Sequence, residues 1–308
     1  MTQALDHGSL VLGGNVFGWT ANAQASVAIL DAFVAAGGRS IDTADVYSAW
    51  IEGNTGGDSE RILGDWIAAR GRRDDVVIAT KVAKYSARPG LERANVRAAA
   101  QESLQRLQTD YIDLYYAHED DESQSIEDVV TTFHELVVEG KVRAVGASNF
   151  TPERLSAAVA FARAENLTPF SYAQDRWSLV ERGIEQTLVP TLDDLGVTEL
   201  PYSSLASGFL TGKYREGAEV ASARAGAASR YLASPGAAGL LTVLDDVAAA
   251  HQVEVTSVAL AWLRAQPVVG APIASARTLE QVAPLVASFD LDLSAAELDA
   301  LTQASSLI

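Results

Sequence analysis

Short apolar runs alternate with amphipathic helical stretches along almost the whole chain, and the regularity of that alternation leaves few folds open. Val76–Thr80 (VVIAT) is nearly continuous in apolar, largely β-branched residues, the pattern of a strand buried on both faces. Ser40–Ala44, Tyr111–Ala117, Val142–Ala147, Phe170–Ala173, Val197–Pro201 and Ala271–Ala274 read as further strands. Leu10–Gly18 (LVLGGNVFG) supplies a strand or hairpin, with Asn15–Gly18 taken as the first strand. Helical spacing fills the intervals. Val27, Leu30, Phe33 and Val34 share one face of Ala25–Ala36, which Gly37-Gly38 ends. Helices follow at Glu60–Arg70, Leu91–Leu107, Ser125–Glu139, Ile184–Leu195, Gly239–His251, Val255–Ala265, Thr278–Ala287 and the tail Ser294–Ala304. Thr151-Pro152 opens another, threonine as N-cap and proline at the first helical position.

The strand ends fall at 42, 81, 118, 148, 174 and 202, separated by 26 to 39 residues, the length of one βα unit. Alternating units of this kind predict a parallel sheet. No linker or shift in composition divides the 308 residues, so the expectation is one domain, 1–308, folded as a closed (β/α)8 TIM barrel rather than an open doubly wound sheet. One stretch breaks the rhythm. Gly217–Gly239, rich in Ala, Gly and Ser, lies in the long loop between strands 7 and 8 and is expected to act as a lid.

Composition removes whole classes of function. A net charge of −17 argues against nucleic acid and anionic membranes as partners. No apolar run reaches the ~18 residues of a membrane span, and the N-terminus lacks a signal-peptide pattern, so a cytoplasmic protein is expected. The absence of cysteine excludes disulfides, thiolate chemistry and cysteine-based metal sites. The acidic run Glu119–Glu122 after His118 reads as a solvated loop, and no metal site is assigned.

Polar residues stand where the apolar strands stop: Asp42, Lys81, His118, Ser148-Asn149, Gln174 and Tyr202-Ser203. In a barrel these ends converge on the face where active sites lie. Tyr47 sits on the loop just above Asp42. A lysine beside it favours the phenolate, so the Tyr47 pKa is expected to fall from ~10 toward neutrality, with Asp42 balancing the ammonium. Tyr47 then serves as general acid, and His118 orients a carbonyl. Reduction needs an electron source that these side chains do not contain, hence a cofactor. Trp19, Trp50 and Trp177 follow strand ends and are candidates for an apolar substrate pocket, whereas Trp66 and Trp262 have the spacing of core residues. His7, His134 and His251 receive no role.

IDTADVY, GNTGGDSERILGDWI, ATK, YIDLYYAH, GKVRAVGASNF, the Gln174 segment and YSSLASGFLTGKY occur in the order found in aldo-keto reductases, and the chain resembles that family over nearly its whole length. The resemblance implies a catalytic tetrad of Asp42, Tyr47, Lys81 and His118, with NADPH as cofactor and a small-molecule carbonyl compound as substrate. It places Ser148, Asn149 and Gln174 at the nicotinamide carboxamide and Tyr202 against the ring. Ser203, Leu205, Gly208, Leu210 and Lys213 correspond to the pyrophosphate segment. Arg277 corresponds to the arginine that meets the 2′-phosphate, flanked by Ser275, Ala276 and Gln281. Pro284, Leu285 and Ser275 depart from the acidic residue, asparagine and lysine that many relatives carry, which leaves NADH open as an alternative cofactor. Relatives of this fold also serve as potassium-channel β subunits, a non-catalytic alternative.

Overall fold

The longest strands form where β-branched and aromatic residues are densest. In the computed structural model, which describes residues 4–215, 217, 220 and 225–308, these are β3 (Val77–Val82), β4 (Ile112–Ala117) and β5 (Val142–Ser148). The shorter strands are β1 (Val11–Gly13), β2 (Ser40–Asp42), β6 (Tyr172–Gln174), β7 (Thr198–Glu199) and β8 (Ile273–Ala274). All pair in parallel in the order β7-β6-β5-β4-β3-β2-β1-β8. The two ends of that order meet: Glu199 donates its amide to the Val268 carbonyl (2.8 Å), Gly270 to Glu199 (2.8 Å) and Ile273 to Pro201 (2.9 Å). The sheet is thus a closed (β/α)8 barrel.

Helices α1 (Ala23–Ala35), α2 (Asp58–Arg70), α3 (Arg93–Leu107), α4 (Ile126–Val138), α5 (Pro152–Ala164) and α6 (Leu188–Leu195) alternate with the strands. After β7 come α7 (Ala225–Leu232), α8 (Ala237–His251) and α9 (Val255–Arg264), and after β8 α10 (Val282–Val286) and α11 (Ala295–Ser305). Their boundaries follow local chemistry. The Thr151 hydroxyl accepts the Arg154 amide at the start of α5, with Pro152 in the first turn. Gly71, at φ 63°, ends α2 in a left-handed conformation that a β-carbon disfavours. No single helix among the described residues is long and apolar enough to cross a membrane.

Alternation along each strand separates two faces. Val11, Ala79, Leu114, Tyr116, Ala144, Tyr172, Leu200 and Ile273 fill the barrel interior, while Ile78, Tyr115, Val145 and Ala173 pack outward against the helices. Gly146 is required where it stands: a β-carbon there would lie 2.5 Å from the Tyr116 ring and 2.9 Å from the Tyr172 carbonyl. At the floor, the Leu5 amide donates to the Tyr172 hydroxyl (2.9 Å), and His7 packs edge-on against the Tyr172 ring while bonding Ser40 (2.8 Å). His7, which sequence gave no role, is a plug, and burial depresses its pKa to about 4.

The structure corrects several boundaries. The first strand is Val11–Gly13; residues 15–18 turn instead, Phe17 donating back to Gly14. Lys81 lies inside β3 rather than after it, because Val82 continues the ladder by pairing with Ala117. Helix α6 starts only at Leu188, after turns that use the Ile184 carbonyl. The expected helix 278–287 is a 3₁₀ turn, Leu279–Gln281, followed by α10; Gln281 folds its side chain back onto the Arg277 amide (2.9 Å). Of the expected lid, residues 218–219 and 221–224 lie outside the described residues. Within its described part, α7 packs on the core, Tyr231 stacking near Phe209 at 5.6 Å between ring centroids.

Candidate active site

The same-face rule that puts Ala79 inside the barrel also puts Lys81 there, two residues nearer the C-terminal mouth, and Asp42 and Gln174 reach the same layer from β2 and β6. Lys81 is fully buried. Its ammonium donates to both Asp42 carboxylate oxygens (2.7 and 2.6 Å), to the Thr43 carbonyl (2.7 Å) and to the Tyr47 hydroxyl (3.2 Å). Asp42 also accepts from the Gln174 amide (2.9 Å). A buried ion pair persists only when its remaining lone pairs and protons are satisfied, and here they are. Burial pulls the Lys81 pKa down, and the Asp42 charge opposes the fall.

Tyr47 departs from the sequence expectation. Its pKa is raised well above the ordinary 10, first by burial and then by the Asp42 charge. The physical reason is local charge balance. Lys81 is committed to Asp42, so the phenol meets a neutralised ammonium and, 3.3 Å away, a carboxylate that accepts its proton in a hydrogen bond. His118 lies edge-on to Tyr47 at 6.1 Å between centroids. Burial, with Lys81 and Lys84 next, holds the imidazole pKa well below 6.5, and Nδ1 has no partner among the described residues.

These side chains stand at the base of a cavity of about 700 Å³. Of the residues singled out from sequence, Asp42, Tyr47, His118, Ser148, Asn149, Gln174, Tyr202, Ser203, Leu205, Gly208, Lys213, Ser275, Arg277 and Gln281 line it. Lys81 lies behind Asp42 and Tyr47. Leu210 and Ala276 are buried and are not among the residues that line the cavity. Gln174 turns its amide nitrogen onto Asp42, which commits that donor to the ion pair.

The polar bonds around the mouth are continuous. Asn149, in the left-handed region at φ 58°, donates from its side chain to Ser148 Oγ (2.9 Å) and the His118 carbonyl (3.0 Å) and accepts from the Tyr202 hydroxyl (2.8 Å). Ser203, Ala206, Ser207 and Gly208 all take positive φ, so the segment after β7 folds into a tight cradle at a strain characteristic of ligand-contacting backbone. Neither Lys213 nor Arg277 is engaged by a carboxylate among the described residues. Sequence reasoning missed Asn15, whose side chain accepts from Ser275 (2.6 Å), and also Lys84 and Arg176; all three directly follow strands.

The tryptophans separate. Trp50, half exposed, packs edge-on to Trp19 (5.6 Å) and Tyr47 (6.3 Å) beside the mouth. Trp177 is buried in the same apolar cluster as Phe209 and Leu240, its indole nitrogen donating to Glu185 (3.0 Å), and it is not among the residues that line the cavity. In the acidic loop, Asp120 pairs with Arg154 and Asp121 accepts the Leu91 amide, so both lock the loop.

A parallel barrel whose mouth carries a buried Asp–Lys pair, a protonated phenol and a neutral imidazole, above which opens a ligand-sized cavity, fits a barrel oxidoreductase. The chain belongs to the aldo/keto reductase family, whose model matches residues 9–306. It is 33% identical to Protein tas of Escherichia coli K12 over 98% of this chain and 96% of that protein. It is 33% identical to the uncharacterized oxidoreductase YrpG of Bacillus subtilis over 92% of this chain and 88% of that protein. Norsolorinic acid reductase stcV of Emericella nidulans is 31% identical over 94% of this chain and 76% of its own length.

Proposed function

We propose that this protein reduces aldehydes or ketones to alcohols, reversibly, with NADPH as reductant, NADH as a secondary one, and Tyr47 as proton donor. The observation that carries the reading is the contact of one ammonium, Lys81, with both Asp42 and the Tyr47 hydroxyl at the base of a ligand-sized cavity. The cavity wall suits a dinucleotide. Lys213 and Arg277 offer cationic groups without carboxylate partners among the described residues, and guanidinium suits a phosphate dianion by forming a bidentate pair. Ser148, Asn149 and Tyr202 supply polar and aromatic contacts for a nicotinamide. Bound NADPH supplies the hydride.

The chain's own residues then manage the substrate oxygen. Tyr47 arrives protonated, because burial and Asp42 hold its pKa high. Its hydroxyl donates to the carbonyl oxygen and gives up the proton as negative charge develops there. The phenolate left behind is 3.2 Å from the Lys81 ammonium, whose own charge Asp42 keeps in place. His118, neutral, donates a hydrogen bond without competing as an acid. Trp50 packs on Tyr47 and Trp19 on Trp50, and both are proposed to contact the apolar part of the substrate.

Reduced-nicotinamide absorbance in the presence of a panel of aldehydes tests this reading. Wild type should consume NADPH, and Tyr47→Phe should lower kcat by about 10²- to 10⁴-fold. Equal consumption by both proteins would remove Tyr47 from its role.

A further inference from the structure

Two buried carboxyls lie one layer below the proposed nicotinamide site and take no part in the chemistry above. Asp175 follows β6, and Glu199 ends β7. Both are buried, Glu199 completely. The Asp175 amide donates to Glu199 Oε1 (2.7 Å), and Asp175 Oδ1 in turn accepts the backbone amide of Asn149 (3.0 Å). Asn149 accepts the Tyr202 hydroxyl, and the Asp175 carbonyl receives the Tyr202 amide (2.9 Å). One acid therefore ties together the ends of β5, β6 and β7 at the residue that adopts a left-handed backbone. Glu199 Oε2 has no partner among the described residues.

We propose that Asp175 is a positioning residue for the cofactor's nicotinamide end, acting through the Asn149 backbone, and that Glu199 behind it holds the Asp175 backbone in place. The inference rests on the proposed placement of the nicotinamide beside Asn149. Two adjacent carboxyls in a buried site do not both ionise. Burial raises Glu199 well above the ordinary carboxyl range, with the Asp175 charge adding to the shift, so Glu199 keeps its proton. Burial raises Asp175 to about 7, opposed by its bond from Asn149 and by Lys84. The other charged or titratable groups around the pair are Arg176, Tyr202 and Tyr116. Lys84 faces Glu119 at 3.9 Å, and Arg176 faces Glu181 at 3.8 Å, so neither is a dedicated counter-ion for the pair. Above about pH 7, Asp175 is charged and grips the Asn149 amide as an anion; below it, the acceptor is neutral and the grip weakens.

The test is NADPH affinity across about pH 6 to 9, read from tryptophan fluorescence with no carbonyl substrate present. Wild type should bind about fivefold more weakly on the acid side, the difference between charged and neutral acceptors. Asp175→Asn should bind at the weaker level throughout and lose that step. Glu199→Gln keeps a neutral acceptor for the Asp175 amide and should leave the step where it is. The phosphate of the ligand, which titrates near pH 6, is common to all variants, so the differences between proteins carry the result. If Asn149→Ala binds NADPH as wild type does, the nicotinamide placement is wrong. If Asn149→Ala weakens binding while Asp175→Asn keeps the wild-type profile, the positioning role is wrong.

Discussion

Asp45 offers a quantitative test of how the site's surroundings are balanced. It follows Asp42 by three residues, is 2% exposed, and neither of its carboxyl oxygens has a partner among the described residues. Its backbone, by contrast, is tied down: the Asp45 amide donates to the Lys81 carbonyl and its carbonyl accepts from Gly57 (2.7 Å). Burial, followed by the Glu60 charge, raises the pKa from 3.8 to about 8, against the pull of Arg106 and Lys81. The folded group binds its proton more tightly than the unfolded one. Its contribution to stability is therefore fully present below about pH 4 and is lost as pH rises through about 8.

At neutral pH the folded chain must take up a proton that the unfolded chain has released. At about 1.4 kcal/mol per unit over roughly three units, that costs about 4 kcal/mol as a ceiling. Asp45→Asn removes the penalty while keeping the shape. Because the amide meets the same unpartnered surroundings, the expected gain is about 2–4 kcal/mol near pH 7. Near pH 4 the gain should vanish. With an unfolding entropy of about 2 cal/mol/K per residue, the neutral-pH gain corresponds to a Tm rise of about 3–6 °C for a chain of this size. Calorimetry of both proteins at about pH 4, 7 and 8.5 isolates the Asp45 term, since Asp175, Glu199 and His7 are common to both. A variant no more stable than wild type near pH 8, with the same difference at every pH, would refute the reasoning.

Other perturbations follow from the same geometry. Lys81→Met leaves Asp42 buried with Gln174 and the distant tyrosine proton as its remaining donors; a loss of about 3–5 kcal/mol is expected in denaturant unfolding, partly recovered in Lys81→Met/Asp42→Leu. Full stability of the single variant would contradict the burial of an unbalanced charge. Arg277→Ala should weaken NADPH binding by about 10- to 100-fold and leave NADH nearly unchanged, as measured by fluorescence titration; equal weakening of both would sink the phosphate assignment. Gly64→Ala should destabilise by about 1–3 kcal/mol, because the new β-carbon would lie 2.1 Å from the Arg106 carbonyl oxygen where α2 crosses α3. An unchanged Tm would show that the two helices separate freely.

The barrel was legible because its signal is repeated: each βα unit restates the same period, and an error of a residue or two at one end does not change the sum. Asp42, His118 and Asn149 were legible because a polar group where an apolar run stops must face the mouth. What failed depended on distances. Lys81 was placed one step too late because Thr80-Lys81 looks like the end of VVIAT, whereas Val82 continues the strand. The Tyr47 shift was assigned the wrong direction because sequence shows that an ammonium is near, not that Asp42 already neutralises it. Trp177 looked like a pocket residue by its position after β6. Yet its backbone amide donates to Tyr202 and its ring turns outward toward Glu185. Asp175 and Glu199 were invisible because their meeting is a property of the β6–β7 register.

The closure of the barrel has a consequence for how the molecule breathes. The seam rests on β7 and β8, the shortest strands, and on a few amide–carbonyl bonds around Glu199, Gly270 and Ile273. Opposite them stand β3, β4 and β5, six or seven residues long. Amides at the seam should exchange with solvent first, and those of β4 last, near the global limit. The cavity wall is drawn from both sides of that seam, Tyr202 and Lys213 on one and Ser275 and Arg277 on the other. A dinucleotide lying across it would act as a suture, slowing exchange at β7 and β8 far more than its own footprint would suggest.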